Sequence, residues 1–146
     1  MKTLVIIVGH GNYGTGIGSS LKLLAGNNSG VEFVDFLEED SDISLKAKLI
    51  KILESSEVAQ TLFVCDILGG TPFKTCVELS VEGENMEVTA GCNLGAILES
   101  ILLKDTMDIK ELANNIVSCT KETAVRFEKA KPAVVSVSDN SMEDGI

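Results

Sequence analysis

The only histidine of the chain, His10, stands between two glycines in Val8-Gly9-His10-Gly11-Asn12-Tyr13-Gly14, directly after the aliphatic run Leu4-Val5-Ile6-Ile7. An imidazole in that setting has its ring exposed at the end of a strand. The neighbouring glycines let the backbone approach a ligand and leave amide N–H groups open to an anion. A nucleophilic imidazole must also be held in one tautomer, and a carboxylate bonded to one ring nitrogen does this while the other nitrogen stays free to attack. Asp66, which closes the run Thr61–Cys65, is placed to be that carboxylate.

The segment after it, Asp66-Ile67-Leu68-Gly69-Gly70-Thr71-Pro72-Phe73, reads as a loop and a helix start. Thr71 fits the N-cap and Pro72 the first helical position, where a missing N–H costs nothing. The N-terminus of a helix offers free N–H groups and the positive end of its dipole to an anion. Pro72 has no donor, so the Thr71 hydroxyl and the amides of Gly70 and Phe73 are the expected contacts, with Gly11 and Gly69 beside them. An imidazole, an orienting acid and an anion cradle together point to phosphoryl transfer through phosphohistidine. Each part has a structural reading too: a histidine in a glycine-rich turn, an aspartate capping a turn, a helix start. Their occurrence together after alternate strands is what favours chemistry.

A second chemistry competes for the same loop. Gly9, Gly11 and Gly14 spell G-x-G-x-x-G, the dinucleotide fingerprint, and Asp35 follows 21 residues after Gly14 as its ribose-binding acid. Asp35, however, lies inside the strand-like Val31–Phe36 rather than at its end, and the chain leaves little room for a substrate domain. Other chemistries are disfavoured. There is no second histidine and the cysteines sit in apolar segments, so no metal or cofactor is expected. No G-x-S-x-G nucleophile elbow is present.

The elements that must carry these loops alternate. Thr3–Val8 reads as a strand, followed by a helix from about Gly16 to Ala25 that Gly26 stops. Val31–Phe36 is a second strand, and Leu45, Leu49, Ile52 and Leu53 stripe a helix near Asp42–Ser55. Thr61–Cys65 is a third strand, before a helix to about Val81. Met86–Ala90 is a fourth, before a helix over about Leu94–Lys104. A longer helix starts at Asp108, with Glu111 as its capping-box-like partner, and runs to about Phe127. Ala133–Val137 reads as a fifth strand. Repeated β-α units imply an α/β fold, a doubly wound and mainly parallel sheet with helices on both faces. In such sheets ligands collect beyond the carboxyl ends of the strands at the switch point, which selects the loops holding His10 and Asp66.

Composition fits one domain of 146 residues with an aliphatic core, 45% of the residues being hydrophobic and none Trp. A net charge of −10 with Arg126 as the single arginine argues against nucleic acid as a partner. Cys65, Cys76, Cys92 and Cys119 show no C-x-x-C spacing and read as reduced core residues of a cytosolic protein. No signal-peptide pattern opens the chain, and no apolar run approaches the ~20 residues of a membrane span.

The pairing of Gly9-His10-Gly11 with Asp66-x-x-Gly69-Gly70-Thr71-Pro72-Phe73 resembles the EIIA domain of the mannose-type branch of the bacterial sugar phosphotransferase system. Supporting anchors are Ser19-Ser20-Leu21-Lys22-Leu23-Leu24-Ala25-Gly26 and Thr89-Ala90-Gly91-Cys92-Asn93-Leu94. The resemblance runs to about Val137 and implies a phosphocarrier domain over residues 1–137 with a tail over 138–146. It implies that the phosphocarrier HPr phosphorylates His10 and that His10 passes the group to a cognate EIIB serving an EIIC/EIID membrane permease. It further implies that Asp66 orients the His10 ring and that Thr71, with nearby amides, holds the phosphoryl oxygens. A homodimer is implied as well, in which an antiparallel edge strand, here Ala133–Val137, is exchanged between protomers. A signalling relative whose His10 phosphate regulates a partner is the third reading.

The chain departs from the family where Gly9 and Gly14 replace a frequent Ser and Ala, and where Thr71 replaces a frequent Ser. It reads as an EIIA without a fused EIIB. The run Thr15–Lys22 looks closer to members associated with amino sugars such as N-acetylgalactosamine.

Overall fold

The aliphatic run that opens the chain becomes a strand buried on both faces. The computed structural model describes residues 2–130, in which β1 (Thr3–His10) pairs in parallel with β2 (Val31–Phe36) on one side and β3 (Gln60–Cys65) on the other. β4 (Met86–Ala90) adds to β3, also parallel, giving the order β2-β1-β3-β4. The two central strands lack polar alternation because both of their faces are covered, as a sheet layered by helices requires.

Alternate side chains of β1 and β3 feed two cores. Val5, Ile7, Leu62 and Val64 pack under α1 (Tyr13–Ala25), α4 (Leu94–Leu103) and α5 (Ile109–Thr123). Leu4, Ile6, Val8, Phe63 and Cys65 pack under α2 (Asp42–Glu54) and α3 (Thr71–Glu82). Each such aliphatic or aromatic side chain removed from water contributes roughly 1.5–3 kcal/mol. The chain leaves β1 toward β2 on one side and reaches β3 on the other, so the switch point lies between the carboxyl ends of β1 and β3.

The expected α/β architecture is therefore present, with differences at helix ends. α1 begins at Tyr13 rather than near Gly16, although Gly14 and Gly16 are poor helix formers. Tertiary contacts override that propensity: a Cβ at Gly14 would lie 2.6 Å from the Val34 carbonyl oxygen, so glycine is what lets α1 close onto β2. In α3 the N-cap is Gly70, not Thr71, and its backbone is extended. Thr71 and Pro72 are the first two helical residues, so the Thr71 side chain makes no cap hydrogen bond. α5 ends at Thr123, and the expected continuation to Phe127 is not helical. Asp108 does cap α5, accepting from the amides of Lys110 and Glu111 at 2.9 and 3.0 Å. Cys65, Cys76 and Cys92 are free and buried, and Cys119 is only partly so. Ala133–Val137 and the tail lie outside the described residues. Among the described residues no helix is long and apolar enough to cross a membrane.

Candidate functional site

β1 and β3 are in register up to Val8 and Cys65, so His10 and Asp66 leave the sheet side by side. Nδ1 of His10 lies 2.7 Å from Oδ2 of Asp66, and the same oxygen accepts the His10 backbone N–H at 2.9 Å. A carboxylate can only accept, so the neutral imidazole carries its proton on Nδ1 and leaves the Nε2 lone pair free. Burial works to raise the Asp66 pKa, but the hydrogen bonds from the His10 amide and ring and from the Ile67 amide outweigh it and bring it below the ordinary carboxylate value. The Asp66 side chain is 11% exposed while that of His10 is 45% exposed, so the acid is sheltered and the imidazole faces solvent.

Gly9 makes this approach possible. A Cβ there would lie 2.6 Å from Cδ1 of Tyr13 and 2.7 Å from Cγ of Asp66, so the space a side chain would need is filled from both sides. Tyr13 thus packs beside the carboxylate at the start of α1. Burial, then the Asp66 charge, push its hydroxyl pKa up to about 12.

The open edge of the imidazole faces the N-terminus of α3. A Cβ on Gly70 would come within 2.9 Å of Cε1 and 3.5 Å of Nε2. Gly69, with φ of 84°, turns the chain into this position. The first helical bond of α3 runs from the Lys74 amide to the Gly70 carbonyl at 2.9 Å. The amides of Thr71 and Phe73 therefore belong to the first turn, where helical N–H groups have no intrahelical acceptor. This is the anion-favouring end of a twelve-residue helix. Thr71 and Phe73 are half-buried at this end.

Two expected site residues are used differently. The Gly11 amide donates to the Phe36 carbonyl at 2.7 Å, so it is committed to the backbone rather than to an anion. Asp35 accepts from the Thr15 amide at 2.9 Å and the Thr15 hydroxyl at 2.7 Å. Its carboxylate thereby occupies the first turn of α1, where a dinucleotide's pyrophosphate would sit. Sequence reading missed two neighbours of the imidazole. Tyr13 is one. The other is Phe36, whose ring meets that of His10 edge-to-face with centroids 5.6 Å apart and planes at 87°. The signal for Phe36 was its place as the last residue of a strand beside β1, opposite His10 in register.

The family profile described as "PTS system fructose IIA component" matches residues 4–117, a span that contains both loops and, but for Thr3, all four strands. The chain belongs to the mannose-type EIIA family. It is 29% identical over 134 residues to the fructose-specific EIIA component of Bacillus subtilis, covering 88% of this chain and 92% of that one. It is 27% identical to the mannose-specific EIIAB component of Escherichia coli over 133 residues, 89% of this chain but 41% of that protein. Among solved structures, an EIIA of Streptococcus agalactiae superposes with a TM-score of 0.79 at 31% identity, over 85% of this chain and 96% of that one. A mannose/sorbose-specific IIA subunit of Enterococcus faecalis shares the fold, with a TM-score of 0.81 at 24% identity and coverage of 90% and 98%. This EIIA is accordingly a sugar-specific component of a phosphotransferase system, and its family consists of phosphotransfer proteins.

Proposed function

We propose that this EIIA carries a phosphoryl group on Nε2 of His10, receiving it from phospho-HPr and passing it to a cognate EIIB for coupled sugar uptake and phosphorylation. The observation that carries the reading is the Nδ1–Oδ2 bond of 2.7 Å, with the opposite edge of the ring turned to Gly70 and the N-terminus of α3.

The neutral imidazole attacks the phosphorus of the donor in line. A bond forms from Nε2 to phosphorus as the donor's own bond to phosphorus breaks, and the bonding pair returns to the donor. Negative charge spreads over three equatorial oxygens, which the Thr71 hydroxyl and the amides of Gly69, Gly70 and Phe73 meet. The ring turns cationic as the new bond forms while its Nδ1 proton stays on the hydrogen bond to Asp66, so the carboxylate stabilises the phosphorylated state as well as the tautomer that precedes it. Transfer to EIIB reverses these steps. No cofactor enters. The protein acts in the cytoplasm as a homodimer.

Incubation with phosphoenolpyruvate, Enzyme I and HPr should label the protein with an acid-labile, base-stable phosphate, and His10→Ala should abolish it. Undiminished labelling of His10→Ala would overturn the assignment.

A further inference from the structure

We infer that Phe36 is a positioning residue for His10, its ring and its carbonyl together keeping Nε2 aimed at the N-terminus of α3. The inference rests on the reading of His10 as phosphoryl carrier. The Asp66 bond fixes one corner of the imidazole. The terminal torsion of a histidine is otherwise broad, and this ring is 45% exposed, so its plane can rock about that corner. The Phe36 ring supplies the second contact, in the edge-to-face geometry that aromatic pairs prefer, with planes at 87°. Its carbonyl meanwhile accepts from the Gly11 amide at 2.7 Å, holding the turn that follows His10, where Gly11 has φ of 57°. One residue thus restrains both the ring and the backbone that carries it.

Phe36 can act this way because both of its neighbours are pinned. On one side, the Asp35 carboxylate takes two bonds from Thr15 and the Asp35 carbonyl accepts from Nζ of Lys48 at 3.2 Å. On the other, the Leu37 amide donates to Oδ2 of Asp40 at 2.8 Å, an oxygen that also meets Lys48 Nζ at 2.8 Å. The Ser44 hydroxyl donates to the second Asp40 oxygen at 2.8 Å, tying the corner to α2. This lattice braces the corner between β2 and α2 through groups that bond neither His10 nor Asp66. A leucine at position 36 would fill similar volume beside the core yet has no ring to set a plane.

The test compares Phe36→Leu, Phe36→Tyr and Lys48→Met with the wild type in single-turnover transfer from phospho-HPr, with nitrogen NMR of the His10 ring as second readout. Phe36→Leu should lower the maximal rate roughly fivefold to tenfold, the scale of an aromatic pair's preference, with the donor concentration for half-maximal rate unchanged. Its Nδ1-protonated tautomer should lose population. Phe36→Tyr should restore both, and Lys48→Met should lower the rate in the same direction by less. A wild-type rate and tautomer balance in Phe36→Leu would overturn the inference. So would a loss expressed only in donor concentration, which marks a partner contact. If Phe36→Leu does not fold, Lys48→Met decides by the same readouts. If the wild type takes no phosphate at His10, the proposed function falls, while the tautomer balance still decides the role of Phe36.

Discussion

One oxygen of Asp66, Oδ2, accepts both the ring Nδ1 and the backbone amide of His10, at 2.7 and 2.9 Å. Ring and backbone are thereby referenced to a single point. Asp66→Asn keeps the size of the side chain and an oxygen acceptor but removes the charge that holds the Nδ1 proton. Phosphoryl transfer should slow by at least about tenfold, toward the ~10⁴-fold seen when a histidine loses its orienting carboxylate. The circular dichroism spectrum should stay native. Transfer at the wild-type rate, read by rapid quench, would remove Asp66 from the mechanism.

Gly9 sits where Tyr13 and Asp66 converge, 2.6 and 2.7 Å from the position its Cβ would take. Gly9→Ala should therefore cost roughly 1–3 kcal/mol by overpacking and push the carboxylate off the ring, slowing transfer as well. Tyr13→Ala opens one side of that space. Combined with Gly9→Ala it should recover part of both losses, a coupling that denaturant titration of the double-mutant cycle measures. Strict additivity would mean the two side chains do not compete for this space.

Gly70 separates activity from stability. Its φ of −77° and ψ of 175° suit any residue, so Gly70→Ala carries no backbone strain. The gain from restricting the unfolded chain, about 0.4–1 kcal/mol, is offset by the poorer N-cap that alanine makes and by the methyl's close approach to the His10 ring, so stability should change by no more than about 1 kcal/mol. The added methyl, however, would stand 2.9 Å from Cε1 of His10, on the edge where the phosphoryl group must arrive. Labelling should drop at least about tenfold, on the scale a small misplacement at a reacting centre costs. Full labelling with an unchanged melting temperature would show that the donor approaches from another side.

Acid stability should depend on the corner behind Phe36. The hydrogen bond from Lys48, helped by the Leu37 amide and the Ser44 hydroxyl, lowers the Asp40 pKa from its ordinary 3.8 to about 2. A carboxyl with a depressed folded pKa stabilises the fold above its unfolded pKa, and that contribution fades as pH falls through the folded value. Asp40→Asn should melt at a lower temperature than wild type near pH 7, and the gap should close between about pH 4 and pH 2. A gap that stays constant down to pH 2, in melting curves across that range, would argue against the Lys48 contact.

The alternation of strands and helices, the buried central strands and the two loops that matter are legible along the chain. Those signals are local: aliphatic runs, helical stripes, glycines and a proline read along the chain in their own order. His10 and Asp66 were legible because both close β-branched or aliphatic runs, and a parallel sheet gathers such ends on one edge. Which side chains meet across the sheet follows from the strand order, which the chain order does not encode. The order β2-β1-β3 brings residues 36, 10 and 66 together, although 26 and 56 positions separate the outer two from His10. That arrangement put the Phe36 ring on the imidazole, gave the Gly11 amide to a carbonyl and turned Asp35 from a ribose ligand into the cap of α1. It also drew Thr71 inside α3, because the backbone of Gly70 reaches the cap position without needing a side chain. Strand neighbours are chosen by how whole faces pack, and no stretch of local sequence carries that choice.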